Sequence, residues 1–433
     1  MDVRKRIHLI LSSDLNKKIF NHSFWILLGN TLSKGFLLIA TILMSQYLSK
    51  TEYGEFGIIK STILMFAMFS GLELGMTATK YISQYRFSDQ LKVERIVGIS
   101  NVFAITISVI VASIVYSYST EIAAQINAPH LNIEIKISSF ILFFSSLNGI
   151  QNGILAGLEK FKILSVNNTV AGVISSIALV FTSKYLGLGA VVIAFGSNFF
   201  LLFILNYISL RRYFYNEFKI NIFSAKNFQE ASVLWKFSLP AILAGIMVGP
   251  VTWYCNYLLV NHSNGFEEMA MFDIASQWRN TILFIPAALS QIALPMLAAS
   301  VDNTLRYKTV FNKNLKSNIY IGLVLVIFFI CISPLIISFY GEKYNGTLIP
   351  MILMFITTGF IAVNNVIGQA LASKNQMWLG FYFNVLWAIV LVALCFYTVT
   401  ILEFGATGMA LSFLMSYIVH TTVQFAYIKK VKF

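Results

Sequence analysis

Phe24-Trp-Ile-Leu-Leu-Gly-Asn-Thr-Leu-Ser-Lys-Gly-Phe-Leu-Leu-Ile-Ala-Thr-Ile-Leu-Met-Ser-Gln-Tyr47 holds one charge, Lys34, in 24 residues. Wound as a helix, such a stretch is ~36 Å long, enough to cross the ~30 Å hydrocarbon core of a bilayer. Lys34 lies too deep for its stem to reach either surface easily. A cation at a helix centre costs roughly 2.5–3.5 kcal/mol by insertion scales, so such residues face polar cavities and carry function. Arg279, inside the apolar run Met269–Leu297, repeats the pattern. The chain therefore reads as an all-α, polytopic membrane protein with cations at membrane depth, and these point to an anionic ligand.

Composition agrees. Hydrophobic residues make up 57% of the 433 and charged residues 11%, where a soluble domain carries about 25% charged residues. Mean hydropathy is +0.74. The apolar runs are long and do not alternate with polar residues, which indicates helices and not a barrel. Cys255, Cys331 and Cys395 all fall in apolar segments, and no CxxC spacing suggests a disulfide framework or a metal site. His8, His22, His130, His262 and His420 are scattered, most of them near loops or helix ends. No HExxH, Walker A, GxSxG or DxD pattern is present, so neither an enzyme nor a bound cofactor is expected. Arg4, Lys5 and Arg6 resemble a signal n-region, but the first apolar stretch is too long for an h-region and is expected to remain as the first helix.

Twelve spans are predicted, near 23–48, 56–82, 96–116, 137–157, 163–183, 188–210, 235–260, 269–297, 314–338, 347–372, 378–400 and 405–428. The longest loops, 117–136 and 211–234, are too short to house a catalytic domain. With both termini in the cytoplasm, 23 of the 31 Lys and Arg fall on the cytoplasmic side, 4 on the opposite side and 4 within spans. The net charge of +13 thus reads as topology, N-in and C-in, and not as nucleic-acid binding. The chain also repeats itself at an offset of 216: Phe56 matches Phe272, Asn148 matches Asn364, Asn168 matches Asn384, and Gly189-Ala190 matches Gly405-Ala406. Each half holds six spans, so the halves are parallel repeats and two six-helix bundles are expected, as in alternating-access transporters. The domain order predicted is a cytoplasmic segment 1–22, a first lobe 23–210, a linker 211–234, a second lobe 235–428 and a tail 429–433.

Lys34 has Asn30 one turn before it and Thr41 two turns after it. The cavity-lining reading stands beside that of a lysine paired structurally with a carboxylate. In the segment Asp273-Ile-Ala-Ser-Gln-Trp-Arg-Asn280, Asp273, Gln277 and Asn280 share a helix face and Arg279 points about a third of a turn away. The Arg fork suits phosphate; the bland alternative is an ion pair with Asp273. Lys60 and Lys80 lie near the ends of span two, where a lysine can snorkel. Glu73 and Lys80 share a face, flanked by Gly71 and Gly75, which are expected to loosen the helix. Glu73 and Asp273 are each read either as proton or sodium coupling sites or as partners of nearby cations. Asn148, Asn152, Asn168, Asn364, Asn365, Gln369 and Asn384 read first as interhelical hydrogen-bonding groups. Pro240, Pro250, Pro286 and Pro295 bracket spans seven and eight as hinges or static kinks.

Four segments carry a family resemblance. Tyr47-Leu-Ser-Lys-Thr-Glu-Tyr-Gly-Glu-Phe-Gly57 is similar to the stretch after the first helix of polysaccharide-biosynthesis flippases. Gly71-Leu-Glu-Leu-Gly75 with Lys80-Tyr81 resembles their second helix, and Asn152-Gly-Ile-Leu-Ala-Gly-Leu-Glu-Lys-Phe161 their turn between helices four and five. Gln277-Trp278-Arg279 with Pro286 and Pro295 resembles their eighth helix. The family is that of the O-antigen (Wzx-type) flippases of the multidrug/oligosaccharidyl-lipid/polysaccharide exporter superfamily, whose fold is MATE-like. The resemblance implies an undecaprenyl-diphosphate-linked oligosaccharide, moved between the leaflets of a bacterial inner membrane, with the phospholipid bilayer and polysaccharide assembly proteins as further partners. Related lipid II flippases place cations on helices one, two and eight, which implies diphosphate-binding roles for Lys34, Lys60 and Arg279; Asn30, Gln277 and Asn280, by their helical spacing, are the polar residues expected to line the cavity. A cation-coupled drug exporter of the same superfamily is the alternative and predicts an acidic cavity. A membrane glycosyltransferase or glycan polymerase would need a large catalytic loop.

Overall fold

A computed structural model of the chain describes residues 14–69, 74–218, 220–232, 247–298, 303–374 and 376–431. These residues are helical and contain no strand. The helices are α1 (Asp14–Tyr47), α2 (Lys50–Phe69), α3 (Leu74–Tyr85), α4 (Gln90–Ser117), α5 (Ser119–Gln125), α6 (Asn132–Gly157), α7 (Phe161–Tyr185) and α8 (Leu188–Leu210), followed by α9 (Val248–Val260), α10 (Gly265–Ala298), α11 (Thr304–Ser338), α12 (Leu348–Ser373), α13 (Met377–Cys395) and α14 (Gly405–Val431). Among the described residues eight segments are long and apolar enough to cross a membrane; they contain α4, α6, α7, α8, α11, α12, α13 and α14. They coincide with predicted spans three to six and nine to twelve. Spans one and eight fall on α1 and α10, each 34 residues long. Span two is divided between α2 and α3, and span seven ends in α9; both adjoin residues outside the described set. The chain is a polytopic all-α membrane protein.

The chain forms two compact units that are not contiguous in sequence. The first comprises Met1–Thr41, Phe66–Ser119 and Ile133–Ile242. Its core joins Ala78 and Ile82 of α3, Val93 and Val97 of α4, Ile150 and Ile154 of α6, and Phe214 beyond α8. Helices α3 and α6 touch backbone to backbone: a Cβ on Gly75 would lie 2.3 Å from the Gly149 carbonyl oxygen, and one on Gly153 would lie 2.1 Å from that of Gly75. Gly75 thus allows close packing of the kind that small residues provide in membranes. Thr79 Oγ1 donates across the same contact to Gly153 O at 3.0 Å. Amides tie α6, α7 and α8 together: Asn206 Nδ2 donates to Asn152 Oδ1 at 2.8 Å, and Asn167 Nδ2 to Asn206 Oδ1 at 2.9 Å. The expected linker is folded in part. Residues Ala225–Glu230 make a 3-10 turn, and buried Asn227 donates Nδ2 to the carbonyls of Asn221 and Ile222.

The second unit comprises Ile42–Met65, Thr120–Asn132 and Leu243–Phe433. It contains most of α2, part of α5 and helices α9 to α14. The segment Tyr53-Gly-Glu-Phe-Gly57 packs here on α10. A Cβ on Gly54 would meet the Phe266 carbonyl at 1.7 Å, so only glycine allows this approach. Glu55 Oε1 pairs with His130 Nε2 at 2.7 Å. Glu268 Oε2 accepts from Ala406 N–H at 2.7 Å, a carboxylate at the electropositive N-terminus of α14. The repeat-related asparagines do equivalent work inside their own units. Asn148 of α6 donates to Phe199 O on α8 at 2.8 Å. Asn364 of α12 reaches His420 Nδ1 at 3.2 Å and accepts from Thr421 Oγ1 at 2.8 Å, both on α14.

Candidate functional site

Helix α10 opens with Glu267 and Glu268 in its first turn, which suits the positive end of the helix dipole. Four turns in, Arg279 is held in the second unit among apolar groups of α12 and α14. Its guanidinium carbon lies 5.4 Å from the Phe413 ring centroid. Nη1 is 3.9 Å from Met354 Sδ, and Nε and Nη2 reach only the Asn280 side-chain oxygen, at 3.4 and 3.2 Å. Among the described residues no carboxylate lies within ion-pair distance of Arg279. Five N–H donors therefore meet one amide oxygen and one thioether. An oxyanion that presents two oxygens side by side, as a carboxylate or phosphate does, would satisfy such a planar fork far better.

Asp273, two turns earlier on α10, is not the partner of Arg279. Its Oδ2 receives Lys60 Nζ of α2 at 2.6 Å, with side chains 10% and 19% exposed. Lys60 also lies 5.8 Å from the Phe56 ring. The pair is neutral as a unit, and each charge answers the desolvation of the other. The structure thus pairs Lys60 with Asp273, whose carboxylate is buried.

Lys34 occupies an accessible position on α1 in the first unit, whereas Thr41, expected on its face, is buried and donates to Leu38 O. The side chain of Asn30 lies outside the described set, as does Glu73. Lys80 is exposed on α3, with Nζ 5.2 Å from the Tyr81 ring. Gln277 is half-buried, and Asn280 is exposed and bonded to Arg279. His420, which its position in the sequence did not distinguish, is 5% exposed inside α14, bonded to Asn364 and, through Nε2, to Gln424 at 3.0 Å. On α9, Trp253 donates Nε1–H to Thr62 Oγ1 at 3.0 Å and Asn256 donates Nδ2–H to Ser61 Oγ at 2.6 Å. Aromatic spacing of three and four along α9 was the one sequence signal for that cluster.

Comparison with known proteins places the chain in a family. The family described as "Polysaccharide biosynthesis protein" matches residues 19–301. The EPS I polysaccharide export inner membrane protein EpsE of Ralstonia solanacearum is 28% identical over 194 residues, 44% of this chain and 44% of that protein. The same-named protein of Ralstonia nicotianae is 25% identical over 194 residues. The matched stretch spans less than half the length of these curated relatives. Among solved structures, the lipid II flippase MurJ in an inward closed conformation superposes with a TM-score of 0.74 at 15% identity, covering 93% of this chain and 87% of that one. An inward-facing multidrug resistance MATE family transporter of the MOP superfamily gives 0.70 at 13% identity, covering 94% and 99%. At such identities the fold alone is shared. The match over residues 19–301 places the chain in the polysaccharide biosynthesis protein family.

Proposed function

We propose that the protein is a flippase for a lipid-linked oligosaccharide, an undecaprenyl-diphosphate glycan carried from the cytoplasmic to the periplasmic leaflet of a bacterial inner membrane by alternating access. The observation that carries this reading is Arg279: a guanidinium at membrane depth with no carboxylate partner among the described residues. A diphosphate cannot enter hydrocarbon alone, since an uncompensated buried charge is prohibitive. A preformed cation offsets that cost while the prenyl tail stays in lipid. Lys34 of the first unit is proposed as a second contributor of positive charge. The family match and the polysaccharide-export relatives support the glycan part of the substrate. A drug exporter for cations would need a free acid at depth; among the described residues the candidate acid Asp273 is engaged by Lys60.

The test is translocation. A strain lacking its own flippase, supplied with this chain, should display surface glycan. Arg279→Ala and Lys34→Ala should each abolish display with protein levels near normal, and Lys34→Arg should retain more than Lys34→Ala. Normal translocation by both alanine variants would refute the diphosphate reading.

A further inference from the structure

Helix α9 carries three rings that lie nearly parallel. Trp253 and Tyr257 have centroids 5.8 Å apart and planes within 23°, and Tyr254 and Tyr257 repeat the same values. Spacings of three and four put them on one face of the helix. Among the described residues, two further pairs stack, Tyr81–Tyr85 and Phe203–Tyr207, and the rings that Phe203–Tyr207 meets next, Phe144 and Tyr215, are tilted away by more than 50°. Aromatic rings in a packed core commonly meet edge to face, so a near-parallel run presents unusually continuous π surface. Tyr254 is 38% exposed and the other two rings are half-buried, so these faces are accessible in part.

Polar groups border the run. The Trp253 indole N–H is fastened to Thr62, which is 2% exposed, and Asn256 to Ser61. An interfacial tryptophan would aim that N–H at headgroups or water; this one is aimed at a neighbouring helix. Asn256 is 3% exposed, and its side-chain oxygen accepts no hydrogen bond. Lys60, which pairs with Asp273 of α10, directly precedes Ser61 on α2.

We propose that Trp253, Tyr254 and Tyr257 form a glycan subsite that takes the apolar faces of hexopyranose rings, on a helix face fixed by the Trp253–Thr62 and Asn256–Ser61 hydrogen bonds. Pyranoses fit this chemistry: their axial C–H bonds form a faintly positive face that packs on the negative face of an aromatic ring, and their hydroxyls project at the rim. The inference rests on the flippase reading and adds to it the part of the protein that recognises sugar.

The experiment uses the full chain in lipid nanodiscs and two probes, undecaprenyl diphosphate and the same lipid bearing an N-acetylhexosamine disaccharide. Wild type should bind the glycosylated lipid more tightly, by about tenfold, the scale of one or two stacked rings. Trp253→Ala and Tyr257→Ala should bring the ratio of the two Kd values towards one and leave the Kd for bare lipid unchanged. Tyr254→Ala, at the most exposed ring, should lower the ratio with least risk to folding, and Trp253→Phe should keep part of it. Arg279→Ala should weaken both probes alike. An unchanged ratio in all three alanine variants, or no preference in wild type, overturns the subsite. Bare-lipid binding that survives Arg279→Ala, with the ratio still falling in the three aromatic variants, overturns the diphosphate reading and leaves the subsite standing.

Discussion

Lys60 and Asp273 meet at 2.6 Å with side chains 19% and 10% exposed. Removing one member of a buried pair strands the other, at a cost of about 3–5 kcal/mol, whereas replacing both is often neutral. Lys60→Met and Asp273→Asn should therefore each lower the thermal midpoint in detergent, and the double variant should recover most of the loss. A double variant as unstable as its worse parent would rule out the pairing. The same double variant tests coupling: if Asp273 serves only to neutralise Lys60, transport driven by an imposed proton or sodium gradient in vesicles should survive, and if Asp273 carries the ion the gradient dependence should vanish. At Arg279, Arg279→Lys should retain charge and lose the fork, so binding of undecaprenyl diphosphate should fall partway between wild type and Arg279→Ala. The sequence exposed all three residues as ionisable groups within apolar runs. It could not say which cation was already answered, because Lys60 and Asp273 are 213 residues apart and their distance is set by how α2 packs on α10.

Helices in this protein are held by two unequal devices. At the α3–α6 crossing the backbones touch, and a Cβ at Gly153 would lie 2.1 Å from a carbonyl oxygen that cannot move aside. Gly153→Leu should force the helices apart, costing about 1–3 kcal/mol or more as overpacking does. The amide relay through Asn206 is softer. Interhelical hydrogen bonds in membranes average about 0.6 kcal/mol, so Asn206→Leu, which loses two, should cost about 1 kcal/mol. Thermal midpoints should therefore rank wild type above Asn206→Leu and Asn206→Leu above Gly153→Leu; the reverse order would mean that the relay, and not the backbone contact, holds the unit. Asn148, Asn152 and Asn364 were legible as interhelical bonding groups from their place in apolar spans, whereas Asn167 and Asn206 were not singled out. Gly75 was read as loosening its helix, because a glycine in isolation signals backbone freedom; only its neighbour, the Gly149 carbonyl, shows that it permits contact.

At the scale of the molecule, the 23 to 4 division of Lys and Arg predicts that reporter fusions at Lys226 and Lys374 read as cytoplasmic and fusions at Pro129 and Gly265 as periplasmic. A cytoplasmic signal at Gly265 would refute the twelve-span topology. The 216-residue repeat has a structural counterpart in the paired roles of Asn148 and Asn364, each of which ties the fourth span of its half to the sixth. The two compact units nevertheless do not follow a single cut in the chain, since residues 42–65 and 120–132 pack with the second unit.

Apolar runs of bilayer length and their bounding charges determined by themselves that the chain is a multi-pass helical membrane protein, because each span must satisfy its backbone within itself and so writes its presence locally. The cations at depth were legible for the same reason: their cost depends on the run around them. The partner of each charge, the glycines that permit contact and the aromatic run fastened to Thr62 were decided by tertiary structure alone. Those properties are distances between helices, and the period of a helix specifies which residues share a face but not which helix that face will meet.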